Sequence, residues 1–179
     1  MDKKSALRES LLASRRAIDT ELRSQWDAAI AGRVLAWANR QAPQSLGVYW
    51  PIRGEPDLRA AYAELARRGV RLSLPVITGK VAPLEFAPWT PGDAMVKDAL
   101  GVSIPASITS LVKPDALLIP CVGFSPARIR LGYGGGFYDR TLAALPKLHA
   151  VGIAYSNALA LFDADPHDVG LDLIITELE

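Results

Sequence analysis

The chain has 179 residues, of which 50% are hydrophobic and 22% are charged, a composition typical of one globular domain with a full core. Its formal net charge of +1 does not indicate binding to nucleic acid or to an anionic membrane. The single cysteine and the two histidines exclude an intramolecular disulfide, a cysteine zinc cluster and a multi-histidine metal site.

The N-terminal segment lacks the continuous apolar stretch of a secretory signal, and no apolar run reaches the roughly 18 residues of a membrane span. No internal repeat, low-complexity tract or linker interrupts the sequence. We therefore expect a cytoplasmic protein in which residues 1–179 form a single domain.

The first forty residues predict two helices. An apolar stripe through Leu7 and Leu11 marks the first helix, over 3–18. The second helix begins at a cap formed by Asp19 or Thr20 and runs to about Gln41. This N-terminal part is compatible with a helical layer appended to the rest of the domain.

After the first forty residues, predicted strands alternate with predicted helices, which indicates an α/β domain with a mostly parallel sheet and helices on both faces. Residues 116–124 form an unbroken apolar run, typical of a strand buried on both faces. The other predicted strands are 46–50, 70–77, 84–89, 149–155 and 171–176, and the other predicted helices are 58–69, which ends at Gly69, and 137–148.

A glycine-rich loop follows the most apolar strand. Within RIRLGYGGGFYDR, residues 128–140, four of five successive positions are glycine. Residues without a β-carbon allow backbone N–H groups to approach a ligand closely. A loop between a buried strand and a helix N-terminus also presents free N–H groups and the positive end of the helix dipole to an anion.

The loop matches neither of the two common phosphate-binding signatures. Gly79 and Lys80 are followed by Val81 instead of the Ser or Thr of a Walker A motif, and Phe137 occupies the place of the third glycine of a dinucleotide fingerprint. A flexible turn is therefore an alternative interpretation. Arg130, whose planar guanidinium suits phosphate, and Asp139, which suits the helix dipole or Mg²⁺, favour a binding site.

The segment RLGYGGGFYDR, after a strand ending in PCVGF, resembles the signature of the 5-formyltetrahydrofolate cyclo-ligases. Weaker similarities to the same family follow in family order along nearly the whole chain: KSALR at 4–8, YWPIRGEPD at 49–57, LEFAPWTPGD at 84–93 and PHDVGLDLIITE at 166–177. The resemblance implies a three-layer, Rossmann-like α/β domain, in agreement with the pattern of strands and helices.

The resemblance also implies an activity. Members of this family bind Mg·ATP and 5-formyltetrahydrofolate, phosphorylate the formyl oxygen, and close the ring through N10 with release of phosphate. The expected ligands are therefore ATP, Mg²⁺ and a small-molecule folate, with no nucleic acid and no membrane as partner. A monomer is expected.

The resemblance assigns roles to particular residues. It makes Arg130 and Gly135 the catalytic positions, and Asp139 and Asp172 the metal carboxylates. A surface cap at the start of a strand is an equal alternative for Asp172. It assigns ATP binding to two segments: Lys4, Ser5, Ala6, Leu7 and Arg8 on the first helix, and Arg130, Leu131, Gly132, Tyr133, Gly134, Gly135, Gly136, Phe137 and Tyr138 in the loop. Lys4 and Arg8 are four residues apart on one helix face, where an anion between them would relieve the repulsion of two like charges. The same reasoning leaves open that the pair is only solvated.

The implied folate-binding residues are Trp50, Glu55, Tyr133, Gly134, Gly135, Gly136 and Phe137. A carboxylate such as Glu55 can accept paired N–H bonds from a pterin ring. Tyr49 and Trp89 are either stacking partners of the pterin or core aromatics, and Cys121 is expected to be a small buried strand residue.

Two positions depart from the family pattern. Ser125 replaces the usual aspartate, and Arg128 replaces the usual glycine, so the turn before the loop is expected to differ. Two other hypotheses therefore stay open: a nucleotide- or folate-binding paralogue without catalytic activity, and a sugar-phosphate isomerase that uses the loop for a substrate phosphate.

Overall fold

The structure, a computed structural model, describes residues 3–178. Four α-helices are present in this part of the chain: α1 (Lys3–Arg16), α2 (Thr20–Gln41), α3 (Arg59–Arg67) and α4 (Phe137–Ala144). The strands are β1 (Ser45–Gly47), β2 (Arg71–Val76), β3 (Glu85–Pro88), β4 (Met95–Lys97), β5 (Ser103–Pro105), β6 (Ala116–Pro120), β7 (Gly123–Phe124), β8 (Arg130–Leu131), β9 (His149–Ile153) and β10 (Leu173–Ile175). A single 3-10 turn spans Ser156–Ala158.

The helix boundaries follow from local capping. The Asp19 carboxylate accepts hydrogen bonds from the N–H groups of Glu21 and Leu22, which begins α2 at the predicted cap. Helix α2 ends where Ala42 adopts a left-handed conformation, with φ of 48°. Helix α3 is followed by Gly69 with φ of 90°, and the Val70 N–H donates to Leu65 O, so the predicted glycine termination is confirmed.

The central sheet has six strands in the order β10-β9-β6-β1-β2-β3. All neighbouring pairs are parallel except β2 and β3, which are antiparallel. From β1 the chain builds one half of the sheet toward β3 and then returns to the other side of β1 with β6. The strand order therefore reverses between β1 and β6, the position at which open α/β sheets bind ligands beyond their carboxyl ends.

Helices cover both faces of this sheet, which confirms the predicted three-layer arrangement. On one face, Ile30, Val34 and Trp37 of α2 and Tyr62 of α3 pack with Leu118. On the other face, Leu117 and Ile119 pack with Leu142 of α4. The alternation of neighbours along β6 follows from the two-residue period of a strand, and its five residues are all buried.

The predicted strand 116–124 is wrong in its second half. It leaves the central sheet after Pro120, and Gly123–Phe124 pairs instead with Arg130–Leu131 in an antiparallel hairpin. Gly123 permits this bend beside α1, because a β-carbon there would lie 2.5 Å from Leu11 Cδ1. The short β4–β5 pair was not predicted; its strands have three residues each, and β4 has no buried residue.

None of the helices within residues 3–178 is both long enough and apolar enough to cross a membrane. Cys121 is buried as predicted, and burial raises the pKa of its thiol to about 11.

Two glycine-to-alanine variants should change stability in opposite directions. A β-carbon meets nothing within 4 Å at either Gly69 or Gly32, so only backbone conformation differs. Gly69→Ala places alanine at φ of 90° and should lower the free energy of unfolding by about 1–2 kcal/mol. Gly32→Ala lies within α2 and should raise it by up to about 1 kcal/mol.

Urea denaturation monitored by circular dichroism measures both changes. A stabilising Gly69→Ala would contradict the left-handed conformation assigned to the end of α3.

Candidate active site

The glycine-rich loop lies between two cavities. It connects β8 to α4 beyond the carboxyl ends of β1 and β6, at the reversal of strand order. The two cavities have volumes of about 820 Å³ and about 420 Å³, and both are lined by Arg130 and Gly136. The loop is therefore a shared wall, and a group bound in one cavity lies next to a group bound in the other.

The larger cavity is basic. Four cationic side chains line it: Lys4 and Arg8 from α1, Arg130 from β8, and Arg140 from α4. Asp139, Asp165 and Asp168 are also part of its wall. Helix α1 and the loop thus contribute to one site although they are more than a hundred residues apart in the sequence.

Arg130 is a buried cation whose hydrogen-bonding capacity is only partly used. Its side chain is 6% exposed; Nη1 donates to Pro120 O at 3.4 Å, and Nη2 lies 3.6 Å from Asp139 Oδ2. The Nε–H is buried and has no hydrogen-bond partner among residues 3–178. A buried, unpaired guanidinium N–H is costly unless a ligand satisfies it, and phosphate oxygens match the geometry of this group.

The loop glycines make room for this guanidinium. A β-carbon at Gly132 would lie 2.3 Å from Arg130 Nη1, well inside the contact distance. Gly136 precedes α4 with φ of 66°, a left-handed conformation that glycine adopts readily. The sequence therefore needs glycine at these positions for close approach and for backbone conformation.

The smaller cavity is aromatic and contains one buried carboxylate. Tyr49 and Trp50 follow β1, and Tyr133, Phe137 and Tyr138 come from the loop and α4. Glu55 is 4% exposed and lies in the same wall. A flat ring system with hydrogen-bond donors at one edge fits such a combination of aromatic surface and acceptor.

Glu55 is held by a network of hydrogen bonds. Its Oε1 accepts from the Tyr133 hydroxyl at 2.8 Å, and its Oε2 accepts from the Ile52 N–H at 3.0 Å. Burial raises the pKa of the Glu55 carboxyl above its ordinary value, and these two hydrogen bonds and the nearby Arg15 offset part of that rise. The carboxylate is thus pre-oriented, with Tyr133 as the partner at its open side.

Arg15 supports this network and was missed by the sequence analysis. It is 3% exposed; Nη1 donates to the Tyr133 hydroxyl at 3.2 Å, and Nη2 donates to Cys121 O. Its position on the inner face of α1, seven residues after Arg8, was the signal that could have identified it. Arg140, Asp165 and Asp168 were also missed as lining residues of the larger cavity.

Most predicted residues of the first segment reach the cavities through α1. The Arg8 Nε–H donates to Gly132 O at 2.8 Å, and Lys4 Nζ lies 2.6 Å from Asp165 and 3.0 Å from Asp168. Burial alone would lower the pKa of Lys4, but its bonds to these two aspartates raise it above the ordinary value. Ser5 lines a third, smaller cavity, whereas Ala6 and Leu7 line none of the three.

The two predicted metal carboxylates lie apart. Asp139 lines the larger cavity on the first turn of α4. Asp172 immediately precedes β10, where its Oδ2 accepts from the Ala150 N–H at 2.7 Å and lies 3.6 Å from His149 Nδ1. This position is at the amino ends of β9 and β10, opposite to the cavities, and Asp172 is not part of the larger cavity's wall.

The structure decides between the two roles that the sequence leaves open for Trp89. Trp89 is 5% exposed and packs edge-on against Trp50 and Tyr62 in the core, outside the cavities.

The two residues that depart from the family pattern lie in the turn between β7 and β8. Ser125 Oγ accepts from the Ile129 N–H at 3.2 Å, and Arg128 adopts a positive φ of 59°, as a glycine readily would. Both residues are thus part of the β7–β8 turn, and Ser125 stabilises it by a side-chain hydrogen bond.

The model of the 5-formyltetrahydrofolate cyclo-ligase family matches residues 1–177. The chain belongs to this family. Among its curated relatives, 5-formyltetrahydrofolate cyclo-ligases from Mycolicibacterium smegmatis and Mycoplasma pneumoniae are 30% and 31% identical to it. Each alignment covers 97% of this chain. The alignments cover 93% of the M. smegmatis protein and 98% of the M. pneumoniae protein.

Solved structures of family members have the same fold. A 5,10-methenyltetrahydrofolate synthetase from Mycoplasma pneumoniae superimposes with a TM-score of 0.82 at 29% identity, over 98% of this chain and 99% of that one. The Aquifex aeolicus 5,10-methenyltetrahydrofolate synthetase gives a TM-score of 0.84 at 27% identity, over 98% and 90% of the two chains. The chain is thus a cyclo-ligase family enzyme over nearly its whole length.

Gly132→Ala should impair the site without unfolding the protein. The new β-carbon would force the Arg130 guanidinium away from the loop, and a displacement of about 1 Å in a positioning group can lower kcat by about 100-fold. The measurement is steady-state turnover of 5-formyltetrahydrofolate with Mg·ATP, with the melting temperature as a check of folding.

Gly32→Ala provides the control, because its β-carbon has open space on the outer side of α2. Wild-type turnover in Gly132→Ala would contradict the requirement for close approach at this position.

Proposed function

We propose that this chain converts 5-formyltetrahydrofolate to 5,10-methenyltetrahydrofolate with ATP, with the triphosphate in the larger cavity and the folate in the smaller one. The formyl oxygen attacks the γ-phosphorus of ATP and ADP leaves. N10 then attacks the activated carbon, the carbon–oxygen bond breaks to release phosphate, and the N10 proton is lost. The observation that carries the proposal is the buried, unpaired Nε–H of Arg130 in the wall that both cavities share.

The larger cavity fits a nucleoside triphosphate. Lys4, Arg8, Arg130 and Arg140 concentrate positive charge around the loop N–H groups and the N-terminus of α4. Lys4 is held by Asp165 and Asp168, so binding of phosphate to Lys4 would require a shift of these ion pairs or a shared contact. Arg8 orients the loop through Gly132 O.

Asp139 fits the role of a Mg²⁺ ligand. Its carboxylate faces the larger cavity and is 20% exposed. Residues 3–178 contain no cluster of three or more His, Cys, Asp or Glu side chains suited to a metal, which agrees with an ion held by one or two carboxylates and by phosphate oxygens. When bound, Mg²⁺ would neutralise phosphate charge. Asp172 does not fit this role because it lies at the opposite end of the strands.

The smaller cavity fits the folate. The Glu55 carboxylate would accept N–H bonds from the pterin edge, and Trp50, Tyr133 and Phe137 would contact the ring faces. Because Tyr133 already donates to Glu55, the pterin must share or replace that bond. Gly135 and Gly136 line this cavity, so the formyl group at the pterin would face the loop.

The protein's contribution to rate is positioning and electrostatic stabilisation. Arg130 would stabilise charge on the phosphoryl group in transit, from a buried position in the wall of both cavities. The loop N–H groups would hold the equatorial oxygens, and Gly132 keeps the guanidinium against the loop. We further expect the enzyme to act as a cytoplasmic monomer.

Arg130→Ala should abolish most of the turnover. Loss of one preorganised charged donor in a water-excluded site lowers kcat by about 100- to 1000-fold. Arg130→Lys should recover only part of it, because a lysine retains the charge but not the planar fork. Formation of methenyltetrahydrofolate, followed by its absorbance, measures turnover.

Arg67→Ala is the matched control, since Arg67 is an exposed residue that pairs with Glu64 on α3. Near-normal turnover by Arg130→Ala would refute the phosphate role. If the wild-type protein binds ATP but forms no methenyltetrahydrofolate, it is instead a binding paralogue.

As the pH is lowered, kcat/KM for 5-formyltetrahydrofolate should begin to fall at a higher pH than it would if Glu55 had the pKa of an ordinary glutamate. Burial raises the pKa of Glu55, so this carboxyl takes up a proton earlier as the pH falls, and a protonated carboxyl no longer accepts two N–H bonds. Glu55→Gln should lower kcat/KM by about 10- to 100-fold at pH 7 and remove this acid limb.

The pH profile of kcat/KM for 5-formyltetrahydrofolate measures both effects. An acid limb that persists unchanged in Glu55→Gln would show that another group controls it.

A further inference from the structure

A third cavity of about 330 Å³ adjoins the smaller cavity. Because the proposed function places the folate in the smaller cavity, that cavity is called the folate cavity below. The wall of the third cavity comes from α1 and from the loop after β1, and it shares Arg53 and Tyr133 with the folate cavity. We propose that this third cavity binds the acidic tail of the folate, with Arg16 and Arg53 as the groups that contact its glutamyl carboxylates. The inference rests on the proposed function, because it assumes the pterin beside Glu55.

The two cavities meet at a rigid junction. Tyr133 is fixed from both sides, since its hydroxyl donates to Glu55 and accepts from Arg15. The Arg53 guanidinium lies over the Tyr133 ring, with 5.0 Å from Cζ to the ring centroid. A cation is therefore held at the boundary between the two cavities, where a ligand extending from Glu55 would pass.

The charge of the third cavity favours carboxylates. Arg8, Arg16 and Arg53 line it, with Glu9 as the acidic lining residue. Within the described residues 3–178, neither Arg16 nor Arg53 forms an ion pair with a carboxylate. Guanidinium groups bind carboxylates through two parallel N–H bonds, and a glutamate tail carries at least two carboxylates.

The other side of the folate cavity is unsuitable for an acidic tail. Ile77, Leu100 and Val102 line it together with Asp98. Asp98 would repel carboxylates, and the apolar side chains offer them no donor. The wall shared with the larger cavity also carries a cation, Arg130, but the proposed function assigns that cavity to the triphosphate. Past Tyr133, the folate cavity leads instead to Arg16 and Arg53.

The experiment compares two substrates in three proteins. The substrates are 5-formyltetrahydrofolate and the primary amide of 5-formyltetrahydropteroate, which keeps the pterin and benzamide groups but has no glutamate and no carboxylate. The proteins are the wild type, the double variant R16Q/R53Q, and the control Arg67→Gln, which removes a charge on α3 away from all three cavities.

The double variant should raise KM for 5-formyltetrahydrofolate by about tenfold with little change in kcat, as expected for the loss of two exposed ion pairs. KM for the truncated substrate should stay close to the wild-type value. The truncated substrate also controls for any effect of Arg53 on Glu55, because such an effect would appear with both substrates. Equal increases of KM for both, or no increase for either, would overturn the proposal.

Failure of the proposed function is distinguishable. If the wild type forms no methenyltetrahydrofolate from either substrate, calorimetric dissociation constants of the two compounds, measured without ATP, replace KM. A preference of the wild type for the glutamylated compound that disappears in R16Q/R53Q supports the tail site. Equal affinity of the wild type for both compounds rejects it.

Discussion

The site depends on one physical constraint, which is how to keep a guanidinium buried at the end of a parallel sheet. A buried charge is costly unless it is surrounded by suitable partners. Here Arg130 has a carbonyl at Pro120, a carboxylate at Asp139, and the face of the Tyr138 ring 5.1 Å from Cζ. The loop backbone approaches from the remaining side only because Gly132 has no side chain. This arrangement makes Arg130 part of two cavities at once, and every step of the proposed reaction takes place across it.

Helix α1 completes the site from outside the sheet. Lys4, Arg8, Leu11 and Arg15 lie on one face of this helix, because their spacings of four, three and four residues match the helical period. Arg8 contacts the loop backbone, and Arg15 contacts the side chain of Tyr133. The inner face of α1 is therefore largely basic, in contrast to the apolar inner faces of α2 and α3. A helix that contributes charges to a ligand site need not bury an apolar stripe as wide as a core helix does.

Burial and charge divide the site into parts with different chemistry. The smaller cavity has aromatic walls and a buried carboxylate, Glu55, with a raised pKa, whereas the larger cavity has four cationic side chains. The β1–β6 reversal places both at the same edge of the sheet. A hydrophobic ring system and a polyanion can thus be held side by side with little overlap of their binding groups.

Local patterns in the sequence determined much of the fold. Caps such as Asp19, the termination at Gly69, and the alternation of strands with helices depend on neighbours within a few residues, so the α/β class and the three-layer arrangement were predictable. The glycine-rich loop and its arginine were visible for the same reason. The division of residues 116–124 between the central sheet and the β7–β8 hairpin could not be predicted from local patterns. It depends on the close packing of Leu11 against Gly123, which are far apart in the sequence.

The tertiary structure alone decided which charges share a cavity. Arg15 looked like one more basic residue of a helix, and only the docking of α1 buries it beside Tyr133. The family resemblance assigns both Asp139 and Asp172 to the metal, but Asp139 lines the larger cavity, whereas Asp172 lies at the amino ends of β9 and β10. A sequence specifies residue types and local conformation, whereas the side of a sheet that a loop residue reaches depends on strand order and direction. These are set by the packing of the whole chain.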